Sequence, residues 1–170
     1  MLLLDIGNSR CKWALVQDGA WLRQGVLENR DLARLAVSLG EVPHISRILV
    51  SNVAGEAVEA GLRDQLAVLR CTPTFIRAEA ERCGVRNGYR KPQQLGSDRW
   101  AALIAARQQN SAACLVVNCG TATTVDALTA QGEFLGGLIL PGVSLMLGSL
   151  AANTAQLEEG AGEVSDFPCD

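Results

Sequence analysis

Leu2-Leu3-Leu4-Asp5-Ile6-Gly7-Asn8-Ser9 returns later in the chain as Leu115-Val116-Val117-Asn118-Cys119-Gly120-Thr121-Ala122. Both stretches read as an apolar strand, a polar residue and a tight glycine turn. The echo runs on: Gly19 follows Gly7 by the same interval as Gly132 follows Gly120, and Trp21 matches Phe134. Each copy predicts a meander of three strands. A duplicated meander predicts an α/β protein with two similar half-domains facing each other. Two glycine turns can then grip one phosphorylated ligand from opposite sides.

Outward from the first copy, residues 2–5 form a continuous apolar run, as a strand buried on both faces requires. Residues 12–17 and 20–27 supply the second and third strands, joined by the hairpin signal Asp18-Gly19. Asn29 or Asp31 can cap a helix carrying the stripe Leu32, Leu35, Ala36, Leu39, which Gly40 ends. A strand over 47–51, a helix over 56–69 and a short strand over 74–76 follow. Residues 79–96 are polar and contain Gly and Pro, and a loop of that length is either functional or disordered. A helix is expected over 97–109, with Asp98 in its first turn, where the helix dipole favours an anion.

The second meander begins at residue 113, its third strand covers 134–140, and an apolar helix covers 143–152. Beyond Thr154 the run Glu158-Glu159-Gly160-Ala161-Gly162-Glu163 is acidic and glycine-rich and reads as a loop. The first copy is thus followed by α-β-α-β and the second by one helix and a loop. By its own symmetry the second half-domain is incomplete. Residues 1–110 are expected to form the first lobe and 111–170 the start of the second.

Composition narrows the function. The 170 residues are 48% apolar, enough for a real core, and carry 15 basic against 18 acidic side chains. Without a basic run, and with few aromatics, a nucleic-acid partner is not expected. No apolar stretch is long enough to span a bilayer, and the N-terminus has no signal-peptide pattern, so a cytoplasmic protein is expected. Six cysteines lie scattered without a CxxC pair, which reads as reduced thiols. His44 has no partner at metal-ligand spacing.

The turns carry the chemistry. Asp5 ends a buried strand before a glycine turn, where a carboxylate can bind Mg²⁺ through water. Turn amides and the Asn8 and Ser9 side chains can meet phosphate oxygens, with Lys12 neutralising charge. The bland alternative is a strand-end Asp making a local turn. Gly120-Thr121-Ala122-Thr123-Thr124 offers backbone N–H groups and three hydroxyls to phosphoryl oxygens, or is simply a Thr-rich hairpin. Asp98, in Gly96-Ser97-Asp98-Arg99, is the best candidate for a general base taking a proton from an attacking hydroxyl. Arg99 beside it could fork onto a substrate carboxylate. Asp126 either adds a ligand contact or pairs with neighbouring backbone. Trp13, Trp21 and Trp100 read as core or interface.

These residues resemble those of type III pantothenate kinases, members of the acetate and sugar kinase–Hsp70–actin superfamily. Asp5-Ile6-Gly7-Asn8-Ser9 is similar to the family's first phosphate loop, and Gly120-Thr121-Ala122-Thr123-Thr124-Val125-Asp126 to its second. Tyr89-Arg90-Lys91-Pro92-Gln93-Gln94-Leu95-Gly96-Ser97-Asp98-Arg99 resembles the pantothenate-binding segment. Phe134-Leu135-Gly136-Gly137-Leu138-Ile139-Leu140-Pro141-Gly142 resembles the strand and turn after the second loop.

The resemblance implies ribonuclease H-like duplicated half-domains of the actin-like ATPase fold, the second incomplete at the C-terminus. It implies ATP-dependent phosphorylation of pantothenate to 4'-phosphopantothenate, the first step of coenzyme A synthesis. Mg²⁺, a monovalent cation (K⁺ or NH₄⁺) and a homodimer with substrate near the subunit interface come with it. By resemblance Asp98 is the base, and Tyr89, Gly96, Ser97, Asp98 and Arg99, within segment 84–99, contact substrate. Asp5, Gly7, Asn8, Ser9, Arg10, Cys11, Lys12, Gly120, Thr121, Ala122 and Thr123 bind ATP. Asp5 and Asn118 hold the metal. Asn118 stands where the family typically carries Asp, and the family runs on past residue 170. A competing reading follows from these two departures: a truncated, non-catalytic relative acting as a binding or regulatory protein.

Overall fold

In the computed structural model, residues 1–40 and 44–154 are described. The expected acidic loop over 158–163 and Cys169 lie outside them. The first meander is β1 (Leu2–Ile6), β2 (Arg10–Gln17) and β3 (Ala20–Glu28). It is joined by β4 (Ile48–Asn52) and β5 (Pro73–Phe75) in a sheet of order β3-β2-β1-β4-β5. β1 is central, antiparallel to β2 and parallel to β4. That placement explains why its apolar run is unbroken: Leu2, Leu4 and Ile6 are buried with Trp13, Leu35, Ile48, Val50, Leu62 and Leu66 in one core.

The helix expected after β3 is only partly there. Asn29–Arg34 wind as a 3₁₀ turn, and a short α1 (Leu35–Leu39) follows before Gly40. The expected cap does not form, because the Asn29 amide is drawn away to donate to the Gly7 and Asn8 carbonyls at 2.7 and 3.0 Å. The next helix, α2 (Glu56–Leu66), gives way to a 3₁₀ turn over Ala67–Leu69.

The second sheet has the order β6-β7-β10-β9-β8, from β6 (Glu81–Arg82), β7 (Val85–Asn87), β8 (Cys114–Cys119), β9 (Ala122–Leu128) and β10 (Glu133–Pro141). The second meander, β8-β9-β10, therefore forms as the echo predicts. Part of the expected long loop is also strand, since β7 runs parallel to β10. The chain thus passes from one sheet to the other between β5 and β6, earlier than the change of lobe expected at residue 110. Between the sheets lies α3 (Ser97–Gln109), packed on β4, β7, β8 and β9. Its Trp100 and Leu103 are buried with Val85, Leu95, Leu128 and Phe134 in a second core.

The two copies are not equals. Trp21 is 65% exposed, whereas its counterpart Phe134 is fully buried. β1 has β4 on its far flank, while β8 has no strand there among the described residues. The apolar α4 (Val143–Asn153) has no buried residue in this structure.

Candidate active site

In a sheet of this kind, ligands sit off the carboxyl ends of the strands. β1 ends there with Asp5, which lies opposite Lys12 on β2 and Ser51 on β4. The turn that follows is closed by Gly7 N–H donating to the Arg10 carbonyl at 3.0 Å. Asn8, Ser9 and Arg10 are exposed on it. Cys11 is not: its side chain is fully buried in the first core, so only its backbone can face a phosphate. Burial, with Asp5 nearby, pushes the Cys11 thiol up to about 12, which keeps it protonated and inert.

The second turn is built the same way, with Gly120 N–H donating to the Ala122 carbonyl at 3.0 Å. Gly142 supports it from behind. A Cβ there would run into the Gly120 and Thr121 carbonyls, and its N–H donates to Thr121 at 3.0 Å. The two turns meet, since the Ser9 and Thr121 hydroxyls are 3.0 Å apart although they belong to different sheets.

Asp98 stands near Asp5, at the start of α3. Its Oδ1 accepts the Arg99 backbone N–H at 2.7 Å, and Gly96 leaves the space this needs: a Cβ there would sit 2.5 Å from Oδ1. Asp98 is near enough to Asp5 to act on it. Burial raises the Asp5 pKa; Lys12 opposes the rise, Asp98 adds to it, and a hydrogen bond from Ser51 lowers it.

Ser97 and Arg99, both expected to contact substrate, are each held by partners within the protein. Ser97 is buried; its hydroxyl lies 3.0 Å from that of Ser51 and accepts the Asn52 N–H at 3.1 Å. Arg99 is 6% exposed and forks onto Asp126, with Nε donating to Oδ1 and Oδ2 at 3.2 and 3.0 Å and Nη2 to Oδ1. That pairing, first of all, raises the Arg99 pKa; the Tyr89 side chain adds to it. Tyr89 itself stacks on Phe134 with ring centroids 5.2 Å apart. Asp126 thus pairs with the Arg99 guanidinium.

Asn118 donates to the Thr124 hydroxyl at 3.4 Å. No group of three or more His, Cys, Asp and Glu side chains could hold a metal among the described residues. The donor set fits Mg²⁺, which is commonly bound by one or two carboxylates together with substrate phosphates and water. It does not fit a closed protein cage. Ser51 and Asn29 were not anticipated from sequence. A polar residue closing the apolar run Ile48-Leu49-Val50 beside β1 was the available signal for Ser51. Nothing local marks Asn29 as the anchor of a turn far earlier in the chain.

Two β-sheet lobes whose glycine turns touch, with one carboxylate near the strand end and another at the helix start close to it, have the actin-like ATPase and sugar-kinase fold. Solved structures agree at the level of fold. A Baf-family protein from Campylobacter jejuni superposes with TM-score 0.63 at 23% identity, over 100% of this chain and 69% of its own. A 2-dehydro-3-deoxygalactonokinase-type protein from Sinorhizobium meliloti gives 0.54 at 18%, over 90% and 57%. Within that class, the profile of the type III pantothenate kinases matches residues 1–167. Enzymes of that name from Aromatoleum aromaticum and Nitrosospira multiformis are 48% and 46% identical over 99% of this chain. The chain belongs to the type III pantothenate kinase family. It spans 69% and 64% of the length of those two relatives, about two thirds.

Proposed function

We propose that the protein transfers the γ-phosphoryl group of ATP to the hydroxyl of pantothenate, giving 4'-phosphopantothenate and ADP in the first step of coenzyme A synthesis. The contact between the Ser9 and Thr121 hydroxyls carries this reading, because it brings two phosphate-type turns together beside Asp5 and Asp98. The turn around Gly7, Asn8, Ser9, Arg10 and Lys12 and the turn around Gly120, Thr121, Ala122 and Thr123 would hold the triphosphate. Asp98 accepts the proton of the pantothenate hydroxyl as its oxygen bonds to the γ-phosphorus. The bond from that phosphorus to the β–γ bridging oxygen breaks, and ADP leaves. Mg²⁺ would be held by Asp5, with the Asn118 amide as a neutral partner, and would neutralise phosphate charge when bound. Tyr89, Gly96, Ser97, Asp98 and Arg99 of the substrate segment would contact pantothenate.

We further propose K⁺ or NH₄⁺ as a monovalent cofactor, a homodimer, and a cytoplasmic location. No helix of the described residues is long and apolar enough to cross a membrane. Retention of both Asp5 and Asp98 favours catalysis over a purely binding role. The test is ADP release with ATP, Mg²⁺ and K⁺, with and without pantothenate. Pantothenate-dependent ADP is the expected result, and its absence would overturn the reading.

A further inference from the structure

Asp98 has a neighbour on each side, and each neighbour is fastened to a different sheet. Ser97 is tied to β4 of the first sheet through the Ser51 hydroxyl and the Asn52 N–H. Arg99 is tied to β9 of the second sheet through the two-pronged pair with Asp126. All three side-chain partners are nearly closed to solvent, with Ser51 at 5%, Ser97 at 6% and Asp126 at 0% exposure. Gly137 lies directly across from Asp126 on β10. A Cβ on it would strike the Asp126 carboxylate and come within 2.7 Å of Arg99 Nη2, so the strand pair is built around this ion pair. Asp126 occupies the Nε–Nη2 edge of the guanidinium, a two-pronged grip on Arg99.

We propose that Asp126 is a positioning residue for Asp98, acting through Arg99. The pair is one jaw of a clasp whose other jaw is Ser97 with Ser51, and the clasp fixes the first turn of α3 between the two sheets. A misplacement of ~1 Å at the reacting group can lower the rate about 100-fold, which sets the size of effect a clasp can have.

The inference rests on the proposed kinase activity for its kinetic arm and on amide exchange for an independent arm. Asp126→Asn should lower kcat roughly 100-fold while the KM for pantothenate hardly changes. Arg99→Met should lower kcat at least as far. The double variant Arg99→Met/Asp126→Leu, which replaces the pair by apolar groups and so leaves no uncompensated charge, should be no slower than either single one. It also covers the case in which Asp126→Asn fails to fold. In every variant the backbone amides of residues 97–100 should exchange hydrogen faster than in the parent protein.

Two results would overturn the clasp. One is a raised pantothenate KM with kcat retained on replacing Arg99, while Asp126→Asn is silent. The other is unchanged exchange at 97–100. A parent protein without pantothenate-dependent turnover would sink the kinase reading alone, and the exchange comparison would still decide the clasp.

Discussion

Asp98 and Asp5 are two carboxylates in one cleft with different work, and their surroundings separate them. Asp98→Asn keeps the shape of the side chain and its acceptor for the Arg99 N–H, but cannot take a proton. Its turnover should fall by about 10²–10⁴, the usual worth of general base catalysis, with the fold intact by circular dichroism. Near-normal turnover would remove Asp98 from that role. Asp5 makes a prediction about stability. Its pKa is raised in the folded protein, chiefly by burial. A folded state that holds a proton more tightly than the unfolded chain loses stability as pH rises: nothing below the unfolded pKa, all of it above the folded one. Asp5→Asn should therefore melt above the parent at neutral pH, by on the order of 2–4 °C for each kcal/mol relieved. The gap should close below about pH 4, where the parent carboxyl is neutral in both states. An equal gap at both pH values would mean that the carboxylate is not strained. At this scale the sequence showed Asp5, Asp98 and both turns, since glycine and a polar residue after an apolar run are local signals. It did not show what Ser97, Arg99 and Asp126 do, because their partners lie far off in sequence and a buried hydroxyl looks like an exposed one.

Strands and helices were legible where a pattern was long enough to be decisive. Both meanders, α3 and α4 follow from apolar runs, hairpin signals and spacing. The region before α1 departed because the Asn29 side chain serves the first turn instead of a helix end. The hairpin of β6 and β7 stayed hidden because two- and three-residue strands have no period to read. What holds β9 to β10 at the site is equally invisible locally, since Gly137 looks like any strand glycine until Asp126 is seen across from it. Gly137→Ala should drive the Asp126 carboxylate off Arg99 and leave buried charge unpaired, a cost on the order of 3 kcal/mol. Denaturant midpoints would measure it, with Gly136→Ala excluded as a control because Gly136 has φ 137°, where any Cβ is strained. A Gly137→Ala midpoint equal to the parent's would show that the strand pair has room to spare.

Across the whole molecule the repeat carried the argument, and its asymmetry now makes a prediction. The first sheet has β1 flanked on both sides, with its core residues shut away. In the second sheet Leu115, Val117 and Leu138, which share one face, are more than half exposed, and so are Val143 and Leu145 of α4. An open apolar face this broad exceeds what a lone soluble domain usually shows. It also gives β8 few contacts to resist opening, because local stability follows buried apolar contact and paired backbone. Amide exchange of the 170-residue chain should accordingly be slowest in β1 and β4 and distinctly faster in β8. An environment-sensitive apolar dye should bind, and Val117→Lys with Leu138→Lys should reduce that binding without slowing or speeding exchange in β1. Equal protection in β1 and β8, with no dye bound, would mean that the face is covered in solution.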